Sequence, residues 1–225
     1  TIDLARTTTG DGFYIWNREK GAQADLDTYL LTMLVLADNA VARADHRPDM
    51  VPELRTCFSV GPHYSYYQVD GLDPRGHDYI VGDVTIGLAR MASKCLPGQI
   101  LIGDFTRPAD HETDPVNPLE FVINADGAFA RLDGLRLHGR TVRGVRCYLT
   151  GEARDRGYTV KRFRILDKHG LGHQVYNQKF NIHLGDPPAG GARLDALYLG
   201  RRHVDLGEFD ALDAATAEPA HAIPA

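Results

Sequence analysis

Residues 7–17 read TTTGDGFYIWN, and the reading of this stretch decides the fold. Residues 2–8 are short and partly β-branched, residues 13–16 are aromatic and β-branched, and Gly10-Asp11-Gly12 stands between them. Aspartate and glycine tolerate the positive φ of a tight turn, so the pattern predicts two antiparallel strands. Asp11 favours such a turn by itself; it is also a hard oxygen ligand, and the stretch asks whether it is aimed at a metal.

Outward from this hairpin, residues 18–24 are a polar loop, and Asp25 offers an N-cap for a helix to residue 44. Leu26, Leu30, Met33, Ala37, Ala40 and Val41 form its apolar stripe, and His46-Arg47-Pro48 stops it. Residues 54–60 alternate as a strand, Gly61-Pro62 breaks it, and 63–69 resume a second, tyrosine-rich strand. Residues 71–77, with Pro74 and Gly76, read as a loop. Residues 78–81 lead to Gly82, and Asp83 caps a second helix whose buried stripe is Val84, Leu88, Met91, Ala92 and Cys95. Pro97-Gly98 ends it and 99–102 form a strand. This order predicts an α+β sheet with helices on one face.

Residues 119–130 read as irregular, and 129–132 with 142–149 as a closing pair of strands. Beyond Gly151, residues 158–166 and 174–184 are two long strand-like runs joined by a turn at 167–172. Tyr176, Phe180, Ile182 and Leu184 share one face by parity. GDPPAGG, 185–191, is a loop, and 194–199 offer a third strand. A hairpin of this kind is unstable alone, so it packs on the core or on a partner chain. The expected organisation is a domain over 1–150, a β-hairpin extension over 151–210 and a frayed Ala- and Pro-rich tail over 211–225.

The 225 residues carry a net charge of −5 and no basic block, which argues against nucleic-acid binding. The apolar stretch near 30–37 is too short to span a bilayer, and the N-terminus shows no secretory signal pattern. Cys57, Cys95 and Cys147 are odd in number, widely spaced and without a CxxC. They read as reduced, buried thiols, consistent with a cytoplasmic protein. His169, His173 and His183 lack a carboxylate or cysteine at ligand spacing and read as surface or partner-bonded groups.

Three segments together resemble the catalytic domain of class III nucleotide cyclases: TGDGF at 9–13, LRTCFSVGP at 54–62, and DYIVGDVTIGLARMASKCLPGQILIGDFT at 78–106. The resemblance covers roughly residues 1–150. It implies a ferredoxin-like βαββαβ core that dimerises head to tail, with sites at the interface. It further implies an activity, cyclisation of ATP or GTP with release of pyrophosphate, which uses two divalent ions, Mg2+ or Mn2+, held by two carboxylates.

By this resemblance Asp11 is the second metal carboxylate, Thr7 and Asp78 lie at the positions that read the purine, and Arg90 is the cation that steadies the transition state. The sequence departs from the family pattern at several of these points. The first metal carboxylate and the strand that bears it have no counterpart in these 225 residues. Thr7 stands where adenylyl-specific members carry lysine, with Arg6 adjacent. Tyr79 aligns with the lysine's acidic partner, with Asp78 next to it. Ile86 replaces the transition-state asparagine and cannot hydrogen-bond through its side chain. Two expectations follow. One is a degenerate cyclase-like domain that regulates or scaffolds through a homodimer or a cyclase-like partner, with nucleotide binding as an option. The alternative is an active adenylate or guanylate cyclase.

Overall fold

A computed structural model describes residues 3–45, 49–70, 73–107, 116–154, 157–185, 194–201 and 210–211. The opening hairpin pairs β1 (Leu4–Thr9) with β2 (Gly12–Asn17) in the register Thr9↔Gly12 to Leu4↔Asn17. Its two-residue turn puts Gly10 at φ +74°, while Asp11 keeps a negative φ. Glycine at the first turn position gives the twist that hairpin strands require. The left-handed residue is therefore the glycine and not the aspartate.

Helix α1 (Ala22–Asp45) follows. It starts three residues before the expected cap, and Asp25 lies in its first turn, where a carboxylate complements the helix dipole. Strands β3 (Thr56–Phe58) and β4 (Tyr64–Asp70) come next. The expected loop at 71–77 is instead mostly strand: β5 runs Asp73–Val81, because pairs such as Val69↔Gly76 and Gln68↔His77 satisfy its backbone. Helix α2 (Asp83–Lys94) starts at Asp83 and is preceded by Gly82 at φ +148°. Gly82, not Asp83, occupies the cap position, with no side-chain cap bond there. A Cβ on Gly82 would lie 2.8 Å from the Pro62 carbonyl oxygen, so the position demands glycine. Strand β6 (Ile100–Gly103) is wholly buried.

The stretch expected to be irregular at 119–130 is helix α3 (Pro118–Ala128). Asn117 and Glu120 form a reciprocal capping box, with Pro118 in the first turn. Residues Phe129–Leu132, expected as a strand, are a 3-10 turn that continues this helix. Strands β7 (Arg136–Leu137), β8 (Arg140–Leu149), β9 (Gly151–Arg154), β10 (Gly157–Val160), β11 (Arg162–Leu166), β12 (Gly172–Leu184), β13 (Ala196–Leu199) and β14 (Asp210–Ala211) complete the chain. The run expected as one strand over 158–166 is thus two, β10 and β11. The GDPPAGG loop from 186 and the tail from 212 lie outside the described residues.

Strand β12 is the axis of a mixed sheet. Tyr176 pairs with Arg162 of β11 on one side and Ile102 of β6 on the other; Asn181 pairs with Arg146 of β8 and Tyr198 of β13. Beyond β6 lies β3, in parallel register from Thr56↔Ile100 to Phe58↔Ile102. Strands β8 and β11 follow one another along one edge of β12, and the β9–β10 hairpin is inserted between them.

The helices occupy both faces of this sheet, in contrast to the one-face arrangement expected. Ile100, Ile102, Phe180 and Ile182 pack with α1 and α3 residues such as Tyr29, Met33, Phe121 and Ala125. Leu101, Phe163, Ile165 and Val175, of opposite parity, pack with Met91 of α2 and Cys95. Such strands are buried on both sides and carry near-continuous apolar runs. Tyr29 anchors the larger core, with its ring 5.0 Å from Phe58 and 5.3 Å from Phe121, both edge-on.

Candidate functional site

The β1–β2 hairpin is not part of the main sheet. Between it and β3 lies a cleft of about 1310 Å³. Its walls are residues 11–21 and 52–65, with stripes from α1 and α2. Asp11 sits at this cleft with its side chain 90% exposed, 3.7 Å from Arg55 Nη2.

Thr7 is half-buried in β1, opposite Tyr14, and Arg6 points to the exposed side. Asp78 lies in β5 and accepts a 2.7 Å bond from Arg18 Nη2; Arg18 Nη1 also bonds Asp3 at 2.8 Å. Asp78 is therefore already engaged in tying the ribbon to the hairpin's base. Tyr79, next to it, stacks on Tyr66 at 5.1 Å.

Arg90 lies on the other side of α2 from the cleft. At about 100° per residue, Val84, Leu88 and Ala92 form one stripe, which lines the cleft. Arg90 and Ile86 fall on roughly the opposite side. Arg90 Nε makes a 3.1 Å ion pair with Asp167, whose side chain is only 3% exposed. Asp167 Oδ1 also accepts from the His169 and Leu171 amides, at 2.8 and 3.0 Å, and its Oδ2 lies 3.4 Å from His173 Nε2. Desolvation works to raise the Asp167 pKa, but the two backbone donors, His173 and the Arg90 charge together hold it down at about 2. Asp11, at the cleft, and Arg90, held at the β11–β12 turn, are thus not brought to a common site.

Among the described residues there is no group of three or more His, Cys, Asp or Glu placed to hold a metal ion. The donor set around Asp11 does not by itself fit a two-metal centre. The three thiols are free, and Cys95 and Cys147 are buried. Burial is the main cause that pushes the Cys147 thiol up; a hydrogen bond with Cys95, and then burial, push Cys57 up.

One feature escaped the sequence reading, the Arg90–Asp167–His173 cluster, in which Arg90 is far in the chain from the other two. The β4–β5 ribbon has the character of a sheet surface or interface, as its tyrosines are read in the sequence. Tyr64 is 77%, Tyr67 62% and Val69 56% exposed, so apolar groups face solvent on both sides of a two-stranded sheet. The tyrosine density of 63–69 was the available signal for it. No helix among the described residues is long and apolar enough to cross a membrane. Compared with family models, with curated proteins and with solved structures, the chain matches none of them.

Proposed function

We propose that this chain is a class III cyclase-like domain that acts as an interaction module in signalling, through a homodimer or a cyclase-like partner, and not as a cyclase with turnover. One observation carries the reading: the β4–β5 ribbon presents Tyr64, Tyr66, Tyr67 and Val69 to solvent, and Ile86 in the first turns of α2 is 49% exposed. Large apolar side chains exposed on both faces of one element mark a contact site, and tyrosine is the residue type that interfaces favour. Two further facts support it. Asp78 is bound to Arg18, and Arg90 to Asp167, so two of the three polar groups that the resemblance gives to a nucleotide, Thr7 being the third, have protein partners.

Incubation of the purified chain with ATP or GTP and manganese, with detection of cyclic product, tests the reading. No cyclic nucleotide is expected. Clear product that disappears in Asp11→Ala overturns it. A thermal-shift series with the same nucleotides addresses binding without turnover, because a ligand at a hundred times its dissociation constant adds about 2.7 kcal/mol of stability.

A second reading, an active adenylate or guanylate cyclase, has one favourable observation. The Asp11 carboxylate is almost fully exposed beside a large cleft, with a single long ion pair to Arg55. In that reading Asp11 is one ligand of Mg2+ or Mn2+, and the remaining carboxylate comes from outside the described residues.

A further inference from the structure

Cys57 and Cys95 are distant in the chain and adjacent in space, for a local reason. Cys95 ends α2, where its backbone N–H bonds the Met91 carbonyl. The residues after it reverse direction. The Gln99 N–H donates to the Leu96 carbonyl at 3.0 Å, the Leu96 N–H donates to Gln99 Oε1 at 2.9 Å, and Gly98 takes φ +74°. The returning chain is bonded to the segment that enters β3: the Gly98 N–H donates to the Leu54 carbonyl, and the Thr56 N–H to that of Gln99. Cys95 is thereby held against β3, with its Sγ 3.7 Å from the Thr56 carbonyl oxygen and 3.5 Å from that of Gln99.

On β3, Phe58 joins Tyr29 in the core under α1 and α3. Cys57, of opposite parity, packs against the other cluster, which holds Met91 and Cys95. The two thiols are in hydrogen-bond contact. Cys57 is partly exposed, whereas Cys95 is buried. The third thiol is the contrast: Cys147 lies in the core on the opposite face of the sheet, with its Sγ 3.6 Å from the Val122 carbonyl oxygen. All three cysteines of the 225 residues are described, so the pairing depends on no segment outside the described ones.

We propose that Cys57 and Cys95 are a reversible redox clasp, closed to a disulfide by a peroxide. In the first step the Cys57 sulfur, the more exposed of the two, attacks one peroxide oxygen. The O–O bond breaks, the leaving hydroxide takes the thiol proton and departs as water, and Cys57 becomes a sulfenic acid. In the second step the Cys95 sulfur attacks the Cys57 sulfur. The S–O bond breaks, the hydroxide takes the Cys95 proton and leaves as water, and the disulfide forms. The two thiols lose two electrons and hydrogen peroxide gains them, giving two waters. Contact makes the second step intramolecular. The hydrogen bond with Cys95, and then burial, hold the Cys57 thiol above its ordinary range, with Arg55 opposing. A protonated thiol is a weak nucleophile, so closure needs sustained oxidant. The bond ties the end of α2 to β3 and closes a covalent loop that includes the β4–β5 ribbon, which restricts the unfolded chain and stabilises the fold. The inference rests on the two thiols alone and does not depend on the cyclase resemblance.

Thiol counting and peptide mapping of the full 225-residue chain, after hours in millimolar hydrogen peroxide, test it. Free thiols are expected to fall from three to one, with Cys147 the survivor and Cys57 joined to Cys95 within one chain. The linked form is expected to melt at least about 4 °C higher. Dithiothreitol is expected to return both readings, which it does not do for oxidised methionine. Cys95→Ser keeps a hydroxyl donor for the Gln99 carbonyl and is expected to lose both the link and the melting shift. No Cys57–Cys95 link after that exposure, a link through Cys147 or between chains, a linked form that melts no higher, or a shift that persists in Cys95→Ser overturns the proposal.

Discussion

Strand β12 and the β4–β5 ribbon are both extended segments with hydrogen-bonded neighbours, yet they meet their surroundings in opposite ways. On β12, Val175 and Asn177 are fully buried on one face, and Gln178, Phe180 and Ile182 are fully or almost fully buried on the other. On β4, Tyr64, Tyr66, Tyr67 and Val69 are all at least half exposed. Strand β12 is paired along both edges and β4 with β5 alone among the described residues, but pairing satisfies the backbone and does not by itself bury side chains. Cover does: α1 and α3 lie over one face of β12 and α2 contributes to the other, whereas among the described residues no layer covers Tyr64, Tyr66, Tyr67 or Val69 of β4. Apolar residues are thus spent in two ways in one chain, as core in the first region and as surface in the second.

If that contrast is right, truncation should cost stability near β12 and little on the ribbon. Phe180→Ala removes a fully buried ring that lies 5.0 Å from Phe129; denaturant unfolding should show a loss of about 4 kcal/mol. Asp45→Ala should cost about 3 kcal/mol, because Arg140 has no exposed side-chain surface and loses its bidentate partner at 2.6 and 2.9 Å. The double variant Asp45→Leu with Arg140→Met should recover much of that loss, since no charge is then left buried.

Asp167 gives a smaller effect that depends on pH. Its folded pKa of about 2 lies below the unfolded value of about 3.9. Its stabilising contribution is therefore complete above about pH 5 and is lost as pH falls towards 2. In Asp167→Asn this part of the acid limb should flatten, as read from melting temperature against pH. A limb as steep as that of the unmodified protein would place the Arg90–Asp167 pair outside the energetics of the fold. Least of all, Tyr67→Ser on the ribbon should change unfolding free energy by no more than about 0.5 kcal/mol. A loss comparable to that of Phe180→Ala would mean that the ribbon is core, and would remove the observation on which the interaction reading rests.

Local signals in the sequence were legible and long-range ones were not. The hairpin at Gly10, the α1 stripe from Leu30 to Val41 and the turn after Leu166 follow from spacing and turn chemistry, which act over a few residues. The Asn117–Glu120 capping box was equally local, and the reading of 119–130 as irregular passed over it. The position of β12 was not legible. Parity identifies the inward side chains Tyr176, Phe180 and Ile182, but nothing local says that Tyr176 will pair with Ile102, far back in the chain. For the same reason α2 was assigned to the wrong face of the sheet. Its stripe of Val84, Leu88, Met91, Ala92 and Cys95 says that the helix needs cover; it does not say that Met91 and Cys95 will meet the face opposite to that covered by α1 and α3. Arg90 was identified as a functional cation by likeness, while its partner Asp167 came from a distant turn that no spacing rule reaches.

Native-state hydrogen exchange on the unmodified chain tests the central contrast most directly. Amides of β6, β8 and β12 should exchange only through global unfolding, whereas amides of β2, β4 and β5 should exchange through local openings of markedly lower free energy. A single common opening free energy across all six strands would contradict the account.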